Sequence, residues 1–253
     1  MKKVFKTKRV VEKEKKKRGL TTLIKKCSLN NGDNMKISQS ILDCDFLNLE
    51  KEIKRLEKAK VDYIHIDLMD GHFVPNVSMG INIIRDIKKI TAIPLDIHLM
   101  FEQPLFFIDM IDKFLGGDVE SIITIHAESK SNTKGTLEKI EKLGYKKGIS
   151  LKPKTPIGEI KEHIKDVDLI LQMTVEPGFG GQRIIPEAIE KIKEIKKTVE
   201  TSRERSHPII SADGGITEET AALLKEAGCD MIVPGSAVWK SKNIKKTIEN
   251  LKG

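Results

Sequence analysis

Short apolar runs alternate with helical patterns from residue 36 to the C-terminus. The runs are rich in β-branched and aliphatic residues, as is typical of strands that are buried on both faces of a parallel sheet. They predict eight strands, at residues 36–42, 63–67, 95–99, 121–126, 147–151, 169–173, 208–212 and 231–233.

The segments between these strands have the spacing of amphipathic helices. Two apolar stripes at helical spacing are Leu47, Ile53, Leu56 and Ala59, and Ile189, Ile192 and Ile195. A helix over 218–227 is predicted between an N-cap at Thr217 and a stop at Gly228, and a last helix covers 243–251.

Eight consecutive strand–helix units predict an α/β fold, a single-domain (β/α)8 TIM barrel. The length of 253 residues is typical of one such barrel. A doubly wound open sheet is the alternative. It is disfavoured because no GxGxxG motif follows the first strand.

The basic charge of the chain is concentrated at its N-terminus. Residues 1–34 hold twelve Lys or Arg and three acidic residues, a net of +9, whereas the whole chain carries +8. The remaining 219 residues therefore carry −1. We expect residues 1–34 to be a disordered basic extension and residues 35–253 to form the catalytic barrel domain. An organellar transit segment, or a tail that binds nucleic acid or a membrane surface by charge, is the alternative.

Composition limits the remaining classes of protein. No apolar run approaches the ~18 residues of a membrane-spanning helix, so no membrane span is expected. The three cysteines, Cys27, Cys44 and Cys229, form no CxxC motif, which favours neither a disulfide framework nor a thiolate metal site. A reducing cytoplasm fits, or an organelle if residues 1–34 are a transit segment.

Histidines and aspartates occupy the ends of three predicted strands. His65 and Asp67 lie two residues apart and share a strand face, His98 follows in DIHLM, and Asp213 closes ISAD. Strand ends on one rim of a barrel converge, and two imidazoles with two carboxylates suit Zn²⁺, with Fe²⁺ or Mn²⁺ also possible. For a single strand histidine, a hydrogen-bonded core position is the commoner role, and Asp96 lies one layer deeper, where it would pair with a neighbour.

Glycine-rich loops follow the last three strands and predict a phosphate site. Such loops bring backbone N–H groups close to an anion, and barrels often bind phosphate there. The candidates are Gly178, Gly180, Gly181, Gly214, Gly215, Gly235 and the hydroxyl of Ser236. Three methionines near strand ends, Met69, Met100 and Met173, predict either core filling or an apolar wall that excludes water.

A metal beside a phosphate site indicates a small phosphorylated ketose as substrate. The metal would polarise the carbonyl and stabilise an enediolate. Asp67 and Asp213 would then remove and return protons on opposite faces, which inverts a carbon next to a ketone.

These motifs, taken together, resemble the ribulose-phosphate 3-epimerase family from about residue 36 onward. The resemblance is carried, in the family's order, by ISQSILDCDF, HIDLMDGHFVPNVSMG, DIHLM, SLKPKTP, MTVEPGFGGQ, DGGI and IVPGSA.

The resemblance implies the reversible conversion of D-ribulose 5-phosphate to D-xylulose 5-phosphate in the pentose phosphate pathway. It implies one divalent ion, usually zinc, with iron, manganese or cobalt able to serve. It also implies a symmetric homo-oligomer and no need for nucleic acid. The four residues His65, Asp67, His98 and Asp213 would be the ligands, with both aspartates as acid/bases. The substrate would contact Ser40, His65, His98, Asp213, Phe179 and the phosphate-site residues named above.

Three positions depart from the family's usual pattern: Gln39, Cys44 and Pro234. Pro234 stands beside Gly235 and makes the loop after strand eight the least secure part of the phosphate site.

Two other enzymatic functions stay open. One is epimerisation of another ketose phosphate, such as a hexulose 6-phosphate. The other is a metal-independent decarboxylase or lyase with a rim lysine, for which Lys152 is the nearest candidate.

Overall fold

The computed structural model describes residues 35–201 and 207–253, and these form a closed barrel of eight parallel strands. The expectation for residues 1–34 lies outside the described part of the chain. The strands are β1 Lys36–Ser40, β2 Tyr63–Met69, β3 Leu95–Met100, β4 Ile122–His126, β5 Lys146–Leu151, β6 Leu169–Met173, β7 Ile209–Asp213 and β8 Met231–Val233. Each strand pairs with the next and β8 closes on β1, which confirms the predicted TIM barrel.

Eight α-helices surround this barrel within the described residues. They are α1 Leu49–Ala59, α2 Ile83–Lys88, α3 Ile108–Leu115, α4 Thr133–Lys142, α5 Pro186–Thr201, α6 Glu218–Glu226, α7 Ser236–Trp239 and α8 Ile244–Lys252. The apolar stripe of α1 buries Ile53, Leu56 and Ala59, as its spacing predicts. Leu47, the first residue of the predicted stripe, lies instead in a preceding 3₁₀ turn and is 96% exposed. Thr217 caps α6 through a reciprocal pair of hydrogen bonds with Thr220.

The connection after β5 differs from the others because it contains two short 3₁₀ helices, Ile157–Ile160 and Ile164–Asp166, in place of an α-helix. Pro153 and Pro156 stand at its start, and Pro restricts both its own residue and the residue before it. The two 3₁₀ helices still bury Ile157, Ile160 and Ile164 against the barrel.

The apolar core lies mainly between the strands and the outer helices, where residues such as Ile64, Ile66 and Ile97 are fully buried. Inside the barrel, a smaller apolar cluster that includes Ile122, Leu171 and Met231 fills the lower layers. Polar side chains occupy the upper interior of the barrel, so the apolar core and the polar cluster lie in different layers of the fold. No helix among the described residues is long and apolar enough to cross a membrane.

Candidate active site

Three strands deliver the four predicted ligands to one point inside the barrel. Asp67 on β2 pairs in register with His98 on β3, and His65 lies two residues before Asp67 on the same face. Asp213 ends β7, where it pairs with Met173 of β6. His65 and His98 are fully buried, and Asp67 is 4% exposed.

The four side chains converge closely. One ligand atom from each lies within 4.8 Å of the other three. Oδ1 of Asp67 lies 3.1 Å from Nε2 of His65 and 3.2 Å from Nδ1 of His98. Oδ2 of Asp213 lies 3.8 Å and 3.7 Å from the same two nitrogens. The geometry brings together the set that the sequence predicted.

Further polar contacts orient this cluster from outside. Asp96 Oδ2 lies 2.8 Å from Nδ1 of His65 and accepts a hydrogen bond from the hydroxyl of Ser38, also at 2.8 Å. Asp96 therefore pairs with a neighbour, as expected from its deeper layer. The Ser40 hydroxyl donates to Oδ2 of Asp67 at 2.8 Å.

The rings of His98 and His126 are also in contact. Nε2 of His98 lies 2.9 Å from Nε2 of His126, whose Nδ1 lies 3.1 Å from Oε2 of Glu128. Sequence reasoning gave His126 and Glu128 no role. Glu128 lies in the turn that follows β4, two residues after His126 at the end of the strand, so strand periodicity does not predict that the two side chains meet.

The charges in the cluster shift the protonation of its members. Burial would lower the pKa of His65, but the facing carboxylates of Asp67 and Asp96 raise it well above its usual range. Burial would raise the pKa of Asp67, but His65 and His98 hold it well below its usual range. Burial, together with the nearby charge of Asp67, raises the pKa of Asp213 to about 6. The site therefore attracts positive charge.

A divalent cation fits this donor set. Two imidazole nitrogens and two carboxylate oxygens are the ligand types of zinc and related ions, and they already face a common centre. Asp96 occupies the second ring nitrogen of His65, which is the usual support of a metal-binding histidine. A dication there would also balance the two buried carboxylates, whose mutual repulsion raises the pKa of Asp213.

A cavity of about 560 Å³ opens directly above this cluster. Asp67 and Asp213 reach its floor, and Ser40 lines the wall beside them. The cavity is also lined by the other predicted contact residues, namely Gly178, Phe179, Gly180, Gly181, Gly214, Gly215, Gly235 and Ser236. The departure at Pro234 therefore leaves Gly235 and Ser236 on the cavity wall.

Two of these glycines have a conformational reason for their identity. Gly214 and Gly215 have φ values of +115° and +63°, a region that other residues rarely adopt. A Cβ atom on Gly215 would lie 2.3 Å from the backbone nitrogen of Ile184. The loops after β6 and β7 can therefore pack this closely only because no side chain stands between them.

The three methionines form part of the cavity surface. Met69, Met100 and Met173 are each at most 3% exposed, and all three line the cavity. Met69 and Met100 also pack against Val74 in a small apolar cluster. They thus fill the upper core and supply apolar surface beside the two aspartates.

Charged residues that the sequence analysis did not select also line the cavity. Asp43, in the loop after β1, places its carboxylate against Gly180 of the loop after β6. Arg183, Glu176 and Glu219 are further lining residues. Asp43, Glu176 and Arg183 lie in loops, where strand periodicity gives no indication of direction, and Glu219 lies in the first turn of α6.

The candidate residues for other chemistries are placed differently. The ammonium group of Lys152 lies 4.0 Å from the centroid of the Phe73 ring, instead of pointing into the cavity. Burial, followed by nearby acidic groups, raises the pKa of the Cys44 thiol to about 12, and burial does the same for Cys229. Neither thiol is therefore primed as a thiolate ligand or nucleophile.

Solved structures of other proteins share this fold. A tryptophan synthase α-subunit from Pyrococcus furiosus superposes with a TM-score of 0.61 at 16% identity, over 87% of this chain and 98% of that one. The α-subunit from Legionella pneumophila gives 0.59 at 12% identity, over 92% and 96%. At this identity the likeness concerns the barrel alone.

Sequence comparison is more specific. The sequence model of the "Ribulose-phosphate 3 epimerase family" matches residues 36–239. A ribulose-phosphate 3-epimerase of Bacillus subtilis is 42% identical over 87% of this chain and 99% of its own length. One of Methanocaldococcus jannaschii is 39% identical over 86% and 90%, and a chloroplastic relative of Arabidopsis thaliana is 36% identical over 85% and 75%. The chain therefore belongs to the ribulose-phosphate 3-epimerase family.

Proposed function

We propose that this chain interconverts D-ribulose 5-phosphate and D-xylulose 5-phosphate by inverting the configuration at C3, as a step of the pentose phosphate pathway. The observation that supports this most directly is the pair of carboxylates at the cavity floor. Asp67 comes from β2 and Asp213 from β7, three strands apart around the barrel, so they approach the cavity from two walls. Two separately placed acid/bases are what inversion of a carbon acid requires.

The two aspartates suit complementary tasks because their surroundings differ. Asp67 is held ionised by two imidazoles and by the Ser40 hydroxyl, so it is equipped to accept a proton. Asp213 reaches the cavity from β7, with no imidazole nitrogen closer than 3.7 Å, so it is placed to exchange a proton with the substrate from the other wall. In the reverse direction the roles exchange.

His65, Asp67, His98 and Asp213 would hold one divalent ion, with zinc favoured and iron, manganese or cobalt as alternatives. When bound, that ion supplies Lewis-acid stabilisation of negative charge on the oxygens of the ketose. Met69, Met100 and Met173 present apolar surface and restrict water around the reacting carbon.

The phosphate group would lie at the glycine-rich side of the cavity. Gly178 to Gly181, Gly214, Gly215, Gly235 and Ser236 border that side, and backbone N–H groups of such loops bind anions without a dedicated cation. The ketose end would then extend toward Ser40, the two histidines and the aspartates. A cavity of about 560 Å³ is ample for a pentose phosphate.

Assembly and location stay predictions. We propose a homo-oligomer that needs no nucleic acid, located in the cytoplasm as the alignment with bacterial relatives favours. The chloroplastic Arabidopsis relative keeps an organelle as the alternative.

The proposed function is tested by turnover and metal content of the purified chain. We expect ribulose 5-phosphate to yield xylulose 5-phosphate with loss of deuterium label from C3 to solvent. Chelation should abolish both, and Zn²⁺ should restore them. Epimerisation that survives complete metal removal would refute the metal-assisted mechanism, and cleavage of the substrate without formation of xylulose 5-phosphate would support the decarboxylase or lyase class. Faster turnover of a hexulose 6-phosphate than of ribulose 5-phosphate would show that the hexulose is the preferred substrate.

A matched variant separates the two enzyme classes. Lys152→Ala removes the lysine that a metal-independent mechanism would need, while it leaves the four ligands untouched. We expect turnover close to that of the unaltered chain, because the Lys152 ammonium lies over Phe73 and not in the cavity. Loss of activity by a factor typical of a missing acid/base, about 10²–10⁴, would contradict the proposed mechanism.

A further inference from the structure

His98 contacts a second histidine on the side of its ring that faces away from the carboxylates. Its Nε2 lies 2.9 Å from Nε2 of His126, and both residues are fully buried. The ring centroids lie 5.0 Å apart and the ring planes are inclined by 29°, an edge-to-edge approach that suits a hydrogen bond between the two nitrogens. A neutral imidazole has one donor and one acceptor nitrogen, so one of these rings must donate to the other.

Glu128 decides the direction of this hydrogen bond. Its Oε2 lies 3.1 Å from Nδ1 of His126, and an ionised carboxylate only accepts. Its other oxygen accepts from the backbone N–H of Lys152 at 2.7 Å, which anchors the carboxylate to the end of β5. Nδ1 of His126 therefore carries the proton, and Nε2 of His126 is left as the acceptor.

We propose that His126, oriented by Glu128, is a positioning residue that fixes the tautomer of His98. Nε2 of His98 donates to His126, which leaves the lone pair on Nδ1 of His98 free. That nitrogen is the one that faces Asp67 at 3.2 Å and Asp213 at 3.7 Å. The inference rests on the metal assignment of the proposed function and adds the residues that prepare one of its ligands.

His65 is oriented in the same way as His98, but its hydrogen-bond partner lies on the opposite ring nitrogen. Its Nδ1 is occupied by Asp96 at 2.8 Å, so its Nε2 is left to face the cluster. The two ligands thus differ in their support: a carboxylate for His65 and a neutral imidazole for His98. A neutral acceptor orients the ring without placing another negative charge directly beside the cluster, which already holds two carboxylates.

The decisive variant is His126→Phe, which keeps a planar ring but removes the acceptor. We expect the affinity for zinc, measured by competition with a chelator, to fall by about 10–100-fold, the range typical of lost support to a metal-binding histidine. Phe73→Leu is the control. Phe73 packs against the His126 ring with centroids 4.6 Å apart but has no hydrogen-bonding group, so its replacement should leave zinc affinity near that of the unaltered chain.

Nitrogen NMR of the zinc-loaded protein, with ¹⁵N-labelled histidine, gives a readout that activity does not. We expect a proton on Nε2 of His98, a proton on Nδ1 of His126, and a scalar coupling between the two Nε2 atoms across the hydrogen bond. Glu128→Gln should weaken zinc binding in the same direction, because an amide no longer dictates which nitrogen of His126 is protonated. If His126→Phe does not fold, the zinc affinity of Glu128→Gln tests the inference in its place.

A proton on Nε2 of His126 in the unaltered protein would overturn the inference. Unchanged zinc affinity in folded His126→Phe, or in Glu128→Gln if the former does not fold, would do the same. These results are separable from the proposed function. Zinc binding and the tautomers are measured without substrate, so a chain that binds zinc through this network but does not epimerise would refute the reaction alone. A chain that binds no zinc would refute the metal assignment.

Discussion

Asp67 and Asp213 lie in one cluster, yet each carboxylate has a different set of partners. Asp67 interacts with His65, His98 and the Ser40 hydroxyl, all within 3.2 Å. The shortest His-to-Asp213 distance is 3.7 Å, and burial raises the pKa of Asp213 to about 6. The two carboxylates therefore reach the cavity from different strands and with different partners, as the two proposed acid/bases on opposite sides of a substrate require.

Replacement of either carboxylate by an amide tests this assignment. Asp67→Asn and Asp213→Asn should each lower kcat by about 10²–10⁴-fold, because an amide cannot exchange the C3 proton. Turnover of ribulose 5-phosphate and zinc content should be measured on the same samples, since both residues are also proposed ligands. A zinc-replete variant with near-normal kcat would exclude that residue as acid/base. Asp86→Asn, on the exposed surface of α2, is the control.

The sequence predicts the four converging residues better than it predicts the residues that contact them. His65, Asp67 and His98 follow from the two-residue period of a strand and from the convergence of strand ends in a barrel. The contacts of His98 with His126, and of Asp43 with Gly180, depend on the register and curvature of segments that are distant in the chain. The local sequence pattern does not predict such contacts, because they form between segments that only the folded barrel brings together.

At the scale of elements, the loop after β7 depends on a glycine that no other residue can replace without movement. Gly215 has φ of +63°, and a Cβ there would meet the backbone of Ile184 at 2.3 Å. Backbone atoms cannot rotate away as the end of a side chain can. The loop after β6 would therefore have to shift, and both loops border the proposed phosphate site.

Gly215→Ala should lower the melting temperature and raise KM for ribulose 5-phosphate. The left-handed conformation alone costs a non-glycine residue roughly 1–2 kcal/mol, before the contact with Ile184 is counted. Gly158→Ala is the matched control, since a Cβ there meets nothing within 4 Å. It should leave KM unchanged and hold or slightly raise the melting temperature. Equal behaviour of the two variants would show that the loop after β7 is not constrained in this way.

The connection between β5 and β6 is a segment whose secondary structure the sequence predicts only in part. Prolines at 153 and 156 disfavour a helix at its start, yet Ile157, Ile160 and Ile164 retain helix-like spacing. The structure satisfies both tendencies with two 3₁₀ helices that bury those isoleucines. Composition indicates that a regular helix is disfavoured, but the choice of 3₁₀ geometry depends on how the segment packs on the barrel.

At the scale of the whole molecule, charge and chemistry occupy different parts of the chain. Residues 1–34 carry a net of +9, while the family match begins at residue 36 and the cavity is lined by residues between Ser40 and Ala237. The substrate proposed here is an anion, so two roles of the strongly basic segment can be distinguished by experiment. The segment either attracts the substrate over a distance or has no effect on the reaction.

Deletion of residues 1–34 should leave kcat and zinc content unchanged, because every proposed ligand and acid/base lies in the remaining chain. Its effect on kcat/KM should be read at several salt concentrations. Long-range attraction by the basic segment would appear as a kcat/KM that exceeds that of the shortened chain at low salt and converges with it as salt screens the charges. We expect the two chains to coincide throughout, since the proposed phosphate-binding groups all line the cavity within the remaining chain. A large loss of kcat on deletion would instead make residues 1–34 part of the catalytic unit.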